Sequence, residues 1–334
     1  MKAVVIEKQG SIDNLAYREW PDPQPRPGDV LIRVKAVGLN HLDVFVRRGM
    51  PGFPVPTPFI SGGDIAGEIA GLGSDVTGWK IGDRVAVNPM TPDGMVGEEV
   101  QGGMAEMVRI PATHLIKLPD SMDFVTAAAV PINFGTALRM MQTIGHVAKG
   151  ETVLIVGASG GVGTAAIQLC KQIGATVIAV TRGAEKIEPL KTIGADHVID
   201  MLKEDFSKAA WTLSGKKGVD VVFNYTGGDT WVPSLRAMKK RGRLVTCGAT
   251  AGFDPKTDIR YIWTRELQVL GSNGYTQQDI EQAIDLVGKG GVRPLIDKVL
   301  PAQDAATAHR LLEERAVIGK VVLSFDDKIE AKTA

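Results

Sequence analysis

Cysteine is scarce in this sequence, whose 334 residues contain only two, Cys170 and Cys247. Two cysteines cannot form a disulfide framework, so we expect a protein of a reducing compartment, the cytoplasm. A surplus of one charge is also lacking, because 38 Lys and Arg residues balance 38 Asp and Glu residues. This balance argues against a nucleic acid or a membrane surface as the partner. No apolar run has the length of a membrane helix, and Met1–Gly10 shows no signal-peptide core.

Proline and glycine are plentiful, with 18 and 39 residues, and they divide the first part of the chain into short segments. The chain is longer than one hydrophobic core usually organises, so two domains are expected. The β-type runs between the Pro- and Gly-rich clusters are Lys2–Ile6, Val30–Val37, Ile65–Ile69, Arg84–Val87 and Ala105–Ile110. Short strands with regular turn signals predict a small β-barrel or sandwich-like domain over residues 1–125.

The centre of the chain has a different pattern, most clearly between Thr152 and Thr181. The apolar run Val153–Val156 is typical of a strand buried on both faces of a parallel sheet. After a glycine-rich turn, apolar residues at helical spacing predict an amphipathic helix that ends near Gly174. Val177–Val180 is then a second apolar strand. A strand, a turn, a helix and a strand within about 30 residues make a βαβ unit.

The turn between the first strand and the helix reads GASGGVG, Gly157–Gly163. Its spacing is the A-x-G-x-x-G variant of the dinucleotide fingerprint, whose glycines allow the turn, the approach of a pyrophosphate and close helix–strand packing. The free N–H groups at the start of the helix would face that pyrophosphate. We therefore predict a nucleotide site formed by Ala158, Ser159, Gly160, Gly161, Val162 and Gly163. The alternative is a tight turn that binds no ligand.

The end of the second strand indicates which dinucleotide binds. NAD enzymes usually place Asp or Glu there to accept hydrogen bonds from the ribose, whereas this chain has Thr181, followed by Arg182 and Lys186. A hydroxyl and two cations would bind a 2′-phosphate, which a carboxylate would repel. We predict NADPH as the cofactor. The alternative is that both cations are ordinary solvated charges.

The α/β alternation continues beyond Thr181 and supplies four more strands: His197–Ile199, Val219–Asn224, Arg243–Cys247 and Leu267–Leu270. Six strands with intervening helices predict a doubly wound fold. A final strand, Lys320–Ser324, would rejoin the N-terminal domain. Residues 1–125 and 273–334 are therefore assigned to a substrate domain, and residues 126–272 to a nucleotide-binding domain. Helices are predicted over Asn40–Arg48, Phe124–Met141, Leu202–Leu213, Gln277–Gly288 and Ala302–Glu314.

Further motifs resemble those of one known family. They are GLNHLDVFVRRG (Gly38–Gly49), GGDIAGEI (Gly62–Ile69), GDRVAV (Gly82–Val87), FGTAL (Phe134–Leu138), LKTIGADHVID (Leu190–Asp200), RGRLVTCG (Arg241–Gly248) and VLGSN (Val269–Asn273). Together with the glycine turn, this set resembles the medium-chain dehydrogenase/reductase superfamily and, within it, the zinc-free quinone oxidoreductase group. The resemblance covers nearly the whole chain. It implies a GroES-like β-barrel substrate domain, a doubly wound Rossmann domain and a homodimer or homotetramer.

The resemblance also bears on metal binding. Zinc relatives hold the catalytic ion with a cysteine, a histidine and a third cysteine or acid, and the matching positions here are Asn40, Gly63 and Ile132. The segment that matches the structural-zinc lobe, Asn88–Gly103, contains no cysteine. We therefore expect no metal site, and without one nothing would lower the pKa of an alcohol substrate.

Without a Lewis acid, the suitable hydride acceptors are carbons that are already electrophilic, such as a quinone or the β-carbon of an enone. The expected activity is the NADPH-dependent, zinc-independent reduction of such a small molecule, with hydrogen bonds to the developing oxyanion or enolate. The rival activity is a 2-enoyl thioester reductase, for which Arg47 and Arg48 are the nearest basic residues to hold a phosphate. A third possibility is a non-catalytic, crystallin-like protein that keeps the NADPH site.

Three residues are candidates for the catalytic site. They are Asn40, whose amide could donate to a substrate carbonyl or to the nicotinamide carboxamide, His41, a candidate proton donor, and Thr136, which resembles the family threonine that packs at the nicotinamide. The alternatives are a loop cap for Asn40 and a structural role for His41. Further cofactor contacts are predicted at Asn133, Gly248, Ala249, Ser272 and Asn273.

Two predictions concern the surroundings of these residues. Asp43 and Arg47 are four residues apart, which favours an ion pair on one helix face. Several quinone oxidoreductases have a tyrosine where this chain has Phe45, so solvent is the expected source of the proton. Apolar side chains that could line an adaptable pocket, or could equally be core and loop filler, are Phe45, Met50, Phe53, Met90 and Met95.

Overall fold

The computed structural model describes residues 1–50 and 54–326. They form two compact units, the first made of Met1–Ile132 and Thr276–Ala334 and the second of Asn133–Tyr275. The predicted boundaries, after residues 125 and 272, lie slightly before the observed ones. Among the helices of the described residues, none is long and apolar enough to cross a membrane.

The first unit is organised by a seven-stranded sheet in the order β16-β17-β3-β4-β5-β9, with β8 also paired to β3. Its N-terminal strands are β1 (Lys2–Ile6), β2 (Leu15–Glu19), β3 (Asp29–Gly38), β4 (Asp64–Leu72), β5 (Arg84–Val87), β6 (Met90–Thr91), β7 (Gly94–Met95), β8 (Met107–Pro111) and β9 (Leu115–Lys117). Its C-terminal strands are β16 (Ile296–Pro301) and β17 (Lys320–Ser324). Strand β17 pairs antiparallel with β3, so the predicted return of the last strand to the N-terminal domain is confirmed.

Strand β3 shows why this sheet forms. Val30, Ile32 and Val34 are at most 1% exposed and enter the core of the unit, while Arg33 between them faces solvent. Such alternation places successive side chains on opposite faces of a strand. Because β3 pairs with β4, β8 and β17, its apolar face anchors the hydrophobic core of this unit.

The second unit is a six-stranded parallel sheet in the order β12-β11-β10-β13-β14-β15, as the doubly wound prediction requires. The strands are β10 (Thr152–Val156), β11 (Thr176–Thr181), β12 (His197–Asp200), β13 (Val219–Asn224), β14 (Met238–Thr246) and β15 (Gln268–Gly271). The strand order reverses between β10 and β13. Ligands of such sheets bind at this point, outside the carboxyl ends of the strands.

The helices are α1 (His41–Arg48), α2 (Phe124–Ala127), α3 (Pro131–Leu138), α4 (Gly161–Gln172), α5 (Ile187–Thr192), α6 (Phe206–Leu213), α7 (Trp231–Ala237), α8 (Arg260–Thr264), α9 (Gln277–Gly288) and α10 (Ala305–Glu313). The single helix predicted over Phe124–Met141 is wrong: Pro131, which has no N–H, begins a new helix. Helix α6 begins later than predicted because the Asp205 side chain caps it by accepting from the N–H groups of Ser207 and Lys208.

Candidate active site

The glycine turn of the second unit leads directly from β10 into α4. Gly157 has a φ of +83°, a conformation that favours glycine, and Gly160 is the N-cap of α4. A glycine has no side-chain acceptor, so the first N–H groups of α4 receive no side-chain cap from it. A Cβ on Gly163 would lie 2.5 Å from the carbonyl oxygen of Ala158, so only glycine permits this close approach of the helix to the turn. The turn therefore fits a pyrophosphate.

Asn133 lies against this turn. A Cβ on Gly161 would overlap the amide of Asn133, which is 4% exposed. The predicted cofactor residue is thus in contact with the first residue of α4. Thr136, one turn further along α3, is also buried, with 7% of its surface exposed. A polar amide and a hydroxyl therefore lie in the helix that borders the N-terminal end of α4.

The loop after β11 contains the residues predicted to select the dinucleotide. Thr181 is buried, and its hydroxyl has no hydrogen-bond partner among the described residues. Arg182 is exposed and Lys186 is buried. The orphaned hydroxyl suits a ligand, because buried polar groups are rarely left without a partner.

Two carboxylates near this loop were missed by the sequence reasoning. Glu185 lies against Gly183, so that a Cβ on that glycine would overlap its carboxylate. Asp200 pairs with Thr181 across the sheet, and its carboxylate accepts hydrogen bonds from the N–H groups of Gly183 and Leu202, at 3.1 Å each. These bonds hold the pKa of Asp200 below its usual range. The two cations of the loop are therefore accompanied by two negative charges.

The segments that follow β14 and β15 contribute the remaining predicted cofactor residues. Gly248 and Asn273 are exposed, Ala249 is partly buried, and Ser272 is 5% exposed with a hydroxyl that lacks a partner among the described residues. Sequence reasoning missed Tyr225, which follows β13 directly and donates from its hydroxyl to the carbonyl oxygen of Gly157 at 3.3 Å. Its position immediately after a predicted strand was the available signal.

In the first unit, Asn40 belongs to a buried polar network. Its Oδ1 accepts from the Lys320 ammonium at 2.6 Å, and its Nδ2 donates to Asp64 Oδ2 at 3.0 Å. Lys320 also donates to Asp64 Oδ2 at 2.6 Å, and the second oxygen of Asp64 accepts from the N–H of Ile132 at 2.7 Å. The side chain of Lys320 reaches this position past Gly38, where a Cβ would lie 2.6 Å from its Cε. Both polar atoms of the Asn40 amide thus have partners within this unit.

Asp43 supports the same network from helix α1. Its carboxylate accepts from the N–H of Asn40 at 2.7 Å and from the N–H of Gly62 at 2.9 Å. Burial raises the pKa of Asp43 to about 6, against the opposing effects of these hydrogen bonds and of Lys320. Asp43 therefore fixes the start of α1, and with it the backbone of Asn40.

The predicted ion pair between Asp43 and Arg47 is wrong. Arg47, 2% exposed, donates instead to the carbonyl oxygen of Gly10 at 2.7 Å and to Glu313 of helix α10 at 2.5 Å. The N–H groups of Asn40 and Gly62 already occupy the Asp43 carboxylate, which removes the reason for an ion pair along the helix. Next to Arg47, burial lowers the pKa of His309 to about 3, and neither ring nitrogen has a partner among the described residues.

His41, the first residue of α1, is partly buried, and its ring meets that of Phe45 edge-on with 6.3 Å between centroids. Burial lowers the pKa of His41, and Arg315 lowers it further, while Glu313 opposes them. The neutral imidazole is therefore favoured, which weakens the argument for His41 as a proton donor near neutral pH.

The positions matched to the zinc ligands do come together in the first unit, but they do not fit the metal. A Cβ on Gly63 would lie 3.2 Å from Ile132 Cδ1 and 3.4 Å from Pro89 Cβ, and Asn40 is joined to Ile132 through Asp64. An amide, a glycine and an isoleucine offer none of the thiolate, imidazole or carboxylate donors that zinc needs. Across residues 1–50 and 54–326, no group of three or more His, Cys, Asp or Glu side chains could hold a metal.

A small apolar recess lies beside helix α1. We call it the α1 recess, and it is lined by Leu42, Phe45, Val46, Met50, Val55 and Glu98. Two of the residues predicted to line a pocket, Phe45 and Met50, are in its wall, whereas Met90 and Met95 are not among its lining residues. Phe53 lies outside the described residues. Leu42 and Val55 in its wall pack against a small cluster of buried apolar side chains, Ile6, Val46 and Phe59.

A GroES-like sheet unit combined with a doubly wound nucleotide-binding unit defines the class of two-domain dehydrogenases. Two family models match the chain: the alcohol dehydrogenase GroES-like domain over residues 26–120 and the zinc-binding dehydrogenase over residues 161–289. The chain belongs to the medium-chain dehydrogenase/reductase superfamily, in its quinone oxidoreductase-like group, and it is an oxidoreductase.

The relatives of this chain differ in the functions that their names state. The chain is 32% identical to the synaptic vesicle membrane protein VAT-1 homolog of Rattus norvegicus, with 97% of this chain and 84% of the relative covered. It is 32% identical to a quinone oxidoreductase of Pseudomonas aeruginosa, covering 96% and 99%. It is 31% identical to an acryloyl-coenzyme A reductase of Metallosphaera sedula, covering 97% and 100%. A solved structure described as an NAD-dependent alcohol dehydrogenase matches with a TM-score of 0.93 at 35% identity, covering 98% of this chain and 100% of that chain.

Proposed function

We propose that this protein is a zinc-independent, NADPH-dependent reductase of quinones or α,β-unsaturated carbonyl compounds. The main observation in favour is that Asn40, at a position where a zinc relative has a metal ligand, instead hydrogen-bonds to Asp64 and Lys320, which are themselves paired. Without a metal to activate an alcohol, the reaction needs an acceptor that is electrophilic on its own. The similarity to a quinone oxidoreductase agrees with this choice.

The proposal assigns roles to the chain's own residues. The uncapped start of α4 and Asn133 bind the pyrophosphate, and Thr181, Arg182 and Lys186 bind the 2′-phosphate. Gly248, Ala249, Ser272 and Asn273 border the nicotinamide half of the cofactor, and Thr136 packs against it. When bound, a reduced nicotinamide supplies the hydride. Asn40 positions Lys320 through its Oδ1. Its Nδ2 lies 3.5 Å from the Gly38 carbonyl oxygen, a long contact, and offers the second amide N–H to the substrate oxygen. Solvent protonates the resulting enolate or oxyanion, because Phe45 cannot.

Two alternatives remain distinct from this proposal. A 2-enoyl thioester reductase is favoured by the similarity to an acryloyl-coenzyme A reductase. Against it, Arg47 is buried against Glu313, which leaves only the exposed Arg48, 3.8 Å from the same carboxylate, to hold a phosphate. A protein that binds NADPH without catalysis would keep the glycine turn and lack turnover.

The experiment that tests the proposal is NADPH oxidation by chelator-treated protein, followed by absorbance. The panel contains a 1,4-benzoquinone, a simple enone, crotonyl-CoA and, in reverse with NADP, a primary alcohol. Turnover of the quinone or the enone, with NADPH preferred over NADH, would support it. Alcohol oxidation that the chelator abolishes would refute it, and tight NADPH binding without turnover would favour the non-catalytic alternative.

Assembly and location complete the proposal. We propose a homodimer or homotetramer, as the family resemblance implies, and light scattering on purified protein tests this directly. We also propose a cytoplasmic enzyme, since both cysteines, Cys170 and Cys247, are unpaired, which suits a reducing compartment.

A further inference from the structure

A buried asparagine holds the loop that follows β13. Asn224, the last residue of β13, is 0% exposed and pairs across the sheet with Val156, the residue before the glycine turn. Its Oδ1 accepts from the N–H groups of Thr226 at 2.9 Å and Gly227 at 3.0 Å. An asparagine oxygen that accepts from the backbone two and three residues on fixes a turn. Asn224 therefore sets the path of residues 225–228, which we call the β13 loop.

The other end of the Asn224 amide is anchored at the start of α7. Its Nδ2 donates to Ser234 Oγ at 2.8 Å and to Thr230 Oγ1 at 3.1 Å, and both hydroxyl residues are buried. The Thr230 hydroxyl in turn donates to the carbonyl oxygen of Gly227 at 2.6 Å. Rotating the amide by half a turn would exchange its donors and its acceptor and lose these bonds. The orientation of Oδ1 toward the β13 loop is therefore fixed.

On one side, the β13 loop lies against the glycine turn. The Tyr225 hydroxyl donates to the carbonyl oxygen of Gly157 at 3.3 Å. A Cβ on Gly157 would lie 2.8 Å from Thr226 Oγ1, so the loop and the turn are in close contact. The strand order reverses between β10 and β13, and doubly wound sheets bind their ligands at this point. The β13 loop therefore borders the proposed pyrophosphate site.

On its other side, the β13 loop is joined to residues 248–252, which follow β14 and include two of the predicted cofactor residues. The N–H of Ala251 donates to the carbonyl oxygen of Thr226 at 2.7 Å. The N–H of Gly228 donates to the carbonyl oxygen of Gly252 at 2.8 Å. One loop thus supports two separate parts of the proposed cofactor site.

We propose that Asn224 is a positioning residue for the cofactor: its amide holds the β13 loop in the shape that lets the glycine turn and residues 248–252 bind NADPH. The inference rests on the proposed function. Asn224 is fully buried, so it acts through the loop and not by touching the cofactor. An apolar side chain in its place would leave the N–H groups of Thr226 and Gly227 without their acceptor, and the loop would lose this shape.

NADPH binding by two variants tests the inference. Asn224→Leu and Ser234→Ala both remove hydrogen bonds from one buried network, but only the first removes the acceptor of the β13 loop. Urea unfolding should show that both variants are less stable than wild type. Asn224→Leu should raise the dissociation constant of NADPH, measured by fluorescence, about tenfold or more. Ser234→Ala should leave it within about twofold. Wild-type affinity in Asn224→Leu, or an equal loss in both variants, would overturn the inference.

Hydrogen exchange, measured by mass spectrometry, observes the loop without any ligand. Peptides that cover residues 225–230 should exchange about tenfold faster in Asn224→Leu than in wild type, while peptides of β10 should change much less. Asn224→Asp keeps an oxygen in the place of Oδ1, so it should protect the loop nearly as wild type does. Asn224→Ala removes the amide without adding apolar bulk, and it repeats both measurements if Asn224→Leu does not fold.

The two measurements distinguish failure of the inference from failure of the proposed function. Equal exchange of the β13 loop in wild type, Asn224→Leu and Asn224→Asp would overturn the positioning role of Asn224. If wild type binds NADPH and Asn224→Leu binds it equally well, the inference is overturned and the proposed cofactor stands. If wild type binds no NADPH, the proposed cofactor is itself wrong, and the inference is overturned with it even where the loop exchanges as expected.

Discussion

The ammonium of Lys320 lies 2.6 Å from Asp64 Oδ2, and the two side chains are 2% and 0% exposed. A buried ion pair adds little net stability when it forms, but removing one partner leaves an uncompensated charge in the interior. Lys320→Met should therefore lower the free energy of unfolding of the first unit by about 3–5 kcal/mol, with Asn40 losing its Oδ1 partner as well. Urea unfolding followed by circular dichroism measures this loss.

A matched surface pair provides the control for that prediction. Lys289 and Asp285 are also joined at 2.6 Å, but their side chains are 72% and 55% exposed. Lys289→Met should cost less than about 1 kcal/mol, because solvent screens the pair. Combining Lys320→Met with Asp64→Asn should recover part of the loss. Equal costs for the two lysine variants would show that the buried network does not stabilise the unit.

Much of the fold could be predicted because the signals are local. Helix α9, predicted over Gln277–Gly288 and observed there, begins where the Thr276 hydroxyl accepts from the N–H of Asp279. The glycine turn is likewise set by residues that are neighbours in sequence. The network around Asn40 could not be predicted, because Lys320 and Asp64 are separated by 256 residues, and no periodicity or spacing relates them.

Asp43 makes the stability of the first unit depend on pH. Burial raises its pKa from 3.8 to about 6, so the folded state holds a proton that the unfolded state releases between these values. The cost of the buried charge is complete above pH 6 and is relieved as the pH falls to 4, by up to about 3 kcal/mol. Wild type should therefore gain stability relative to Asp43→Asn as the pH is lowered from 7 to 4.5. Urea midpoints that run parallel across this range would contradict it.

His309 should act in the opposite direction. Its pKa in the folded state is lowered from 6.5 to about 3, so the folded protein excludes a proton that the unfolded chain binds. The stability that the neutral, buried His309 contributes is complete above pH 6.5. It is lost as the pH falls, by about 3 kcal/mol at pH 4.5. His309→Phe also removes two unpartnered polar atoms, so it should be less sensitive to acid than wild type and of similar stability at pH 7.5.

The exposed His146 supplies the control for the His309 prediction. His146 has a φ of +46°, which asparagine tolerates, so His146→Asn removes an exposed histidine and should leave the urea midpoint at pH 7.5 unchanged. Equal acid sensitivity of wild type, His146→Asn and His309→Phe would mean that His309 is not buried in its neutral form.

Substitutions at two glycines of the turn distinguish an effect on folding from an effect on cofactor binding. A Cβ on Gly163 would lie 2.5 Å from the carbonyl oxygen of Ala158, so Gly163→Ala should cost about 1–3 kcal/mol of stability. At Gly160 the nearest atom would be 3.6 Å away, so Gly160→Ala should fold normally. Its methyl group would still obstruct the approach of a pyrophosphate, and NADPH binding, measured by fluorescence, should weaken at least about tenfold. Normal NADPH affinity in Gly160→Ala would remove this turn from the proposed site.

Arg182 tests the choice of dinucleotide. Glu185 and Asp200 accompany the cations of its loop, so the preference for NADPH depends on whether the exposed guanidinium reaches the 2′-phosphate. Arg182→Ala should weaken NADPH binding about tenfold or more, through the loss of a charge-assisted bidentate contact, and leave NADH binding within about twofold. NADH is thus the internal control, since it lacks only that phosphate. If wild type binds both dinucleotides equally, the carboxylates dominate the loop, and Thr181 holds a ribose hydroxyl instead of a phosphate.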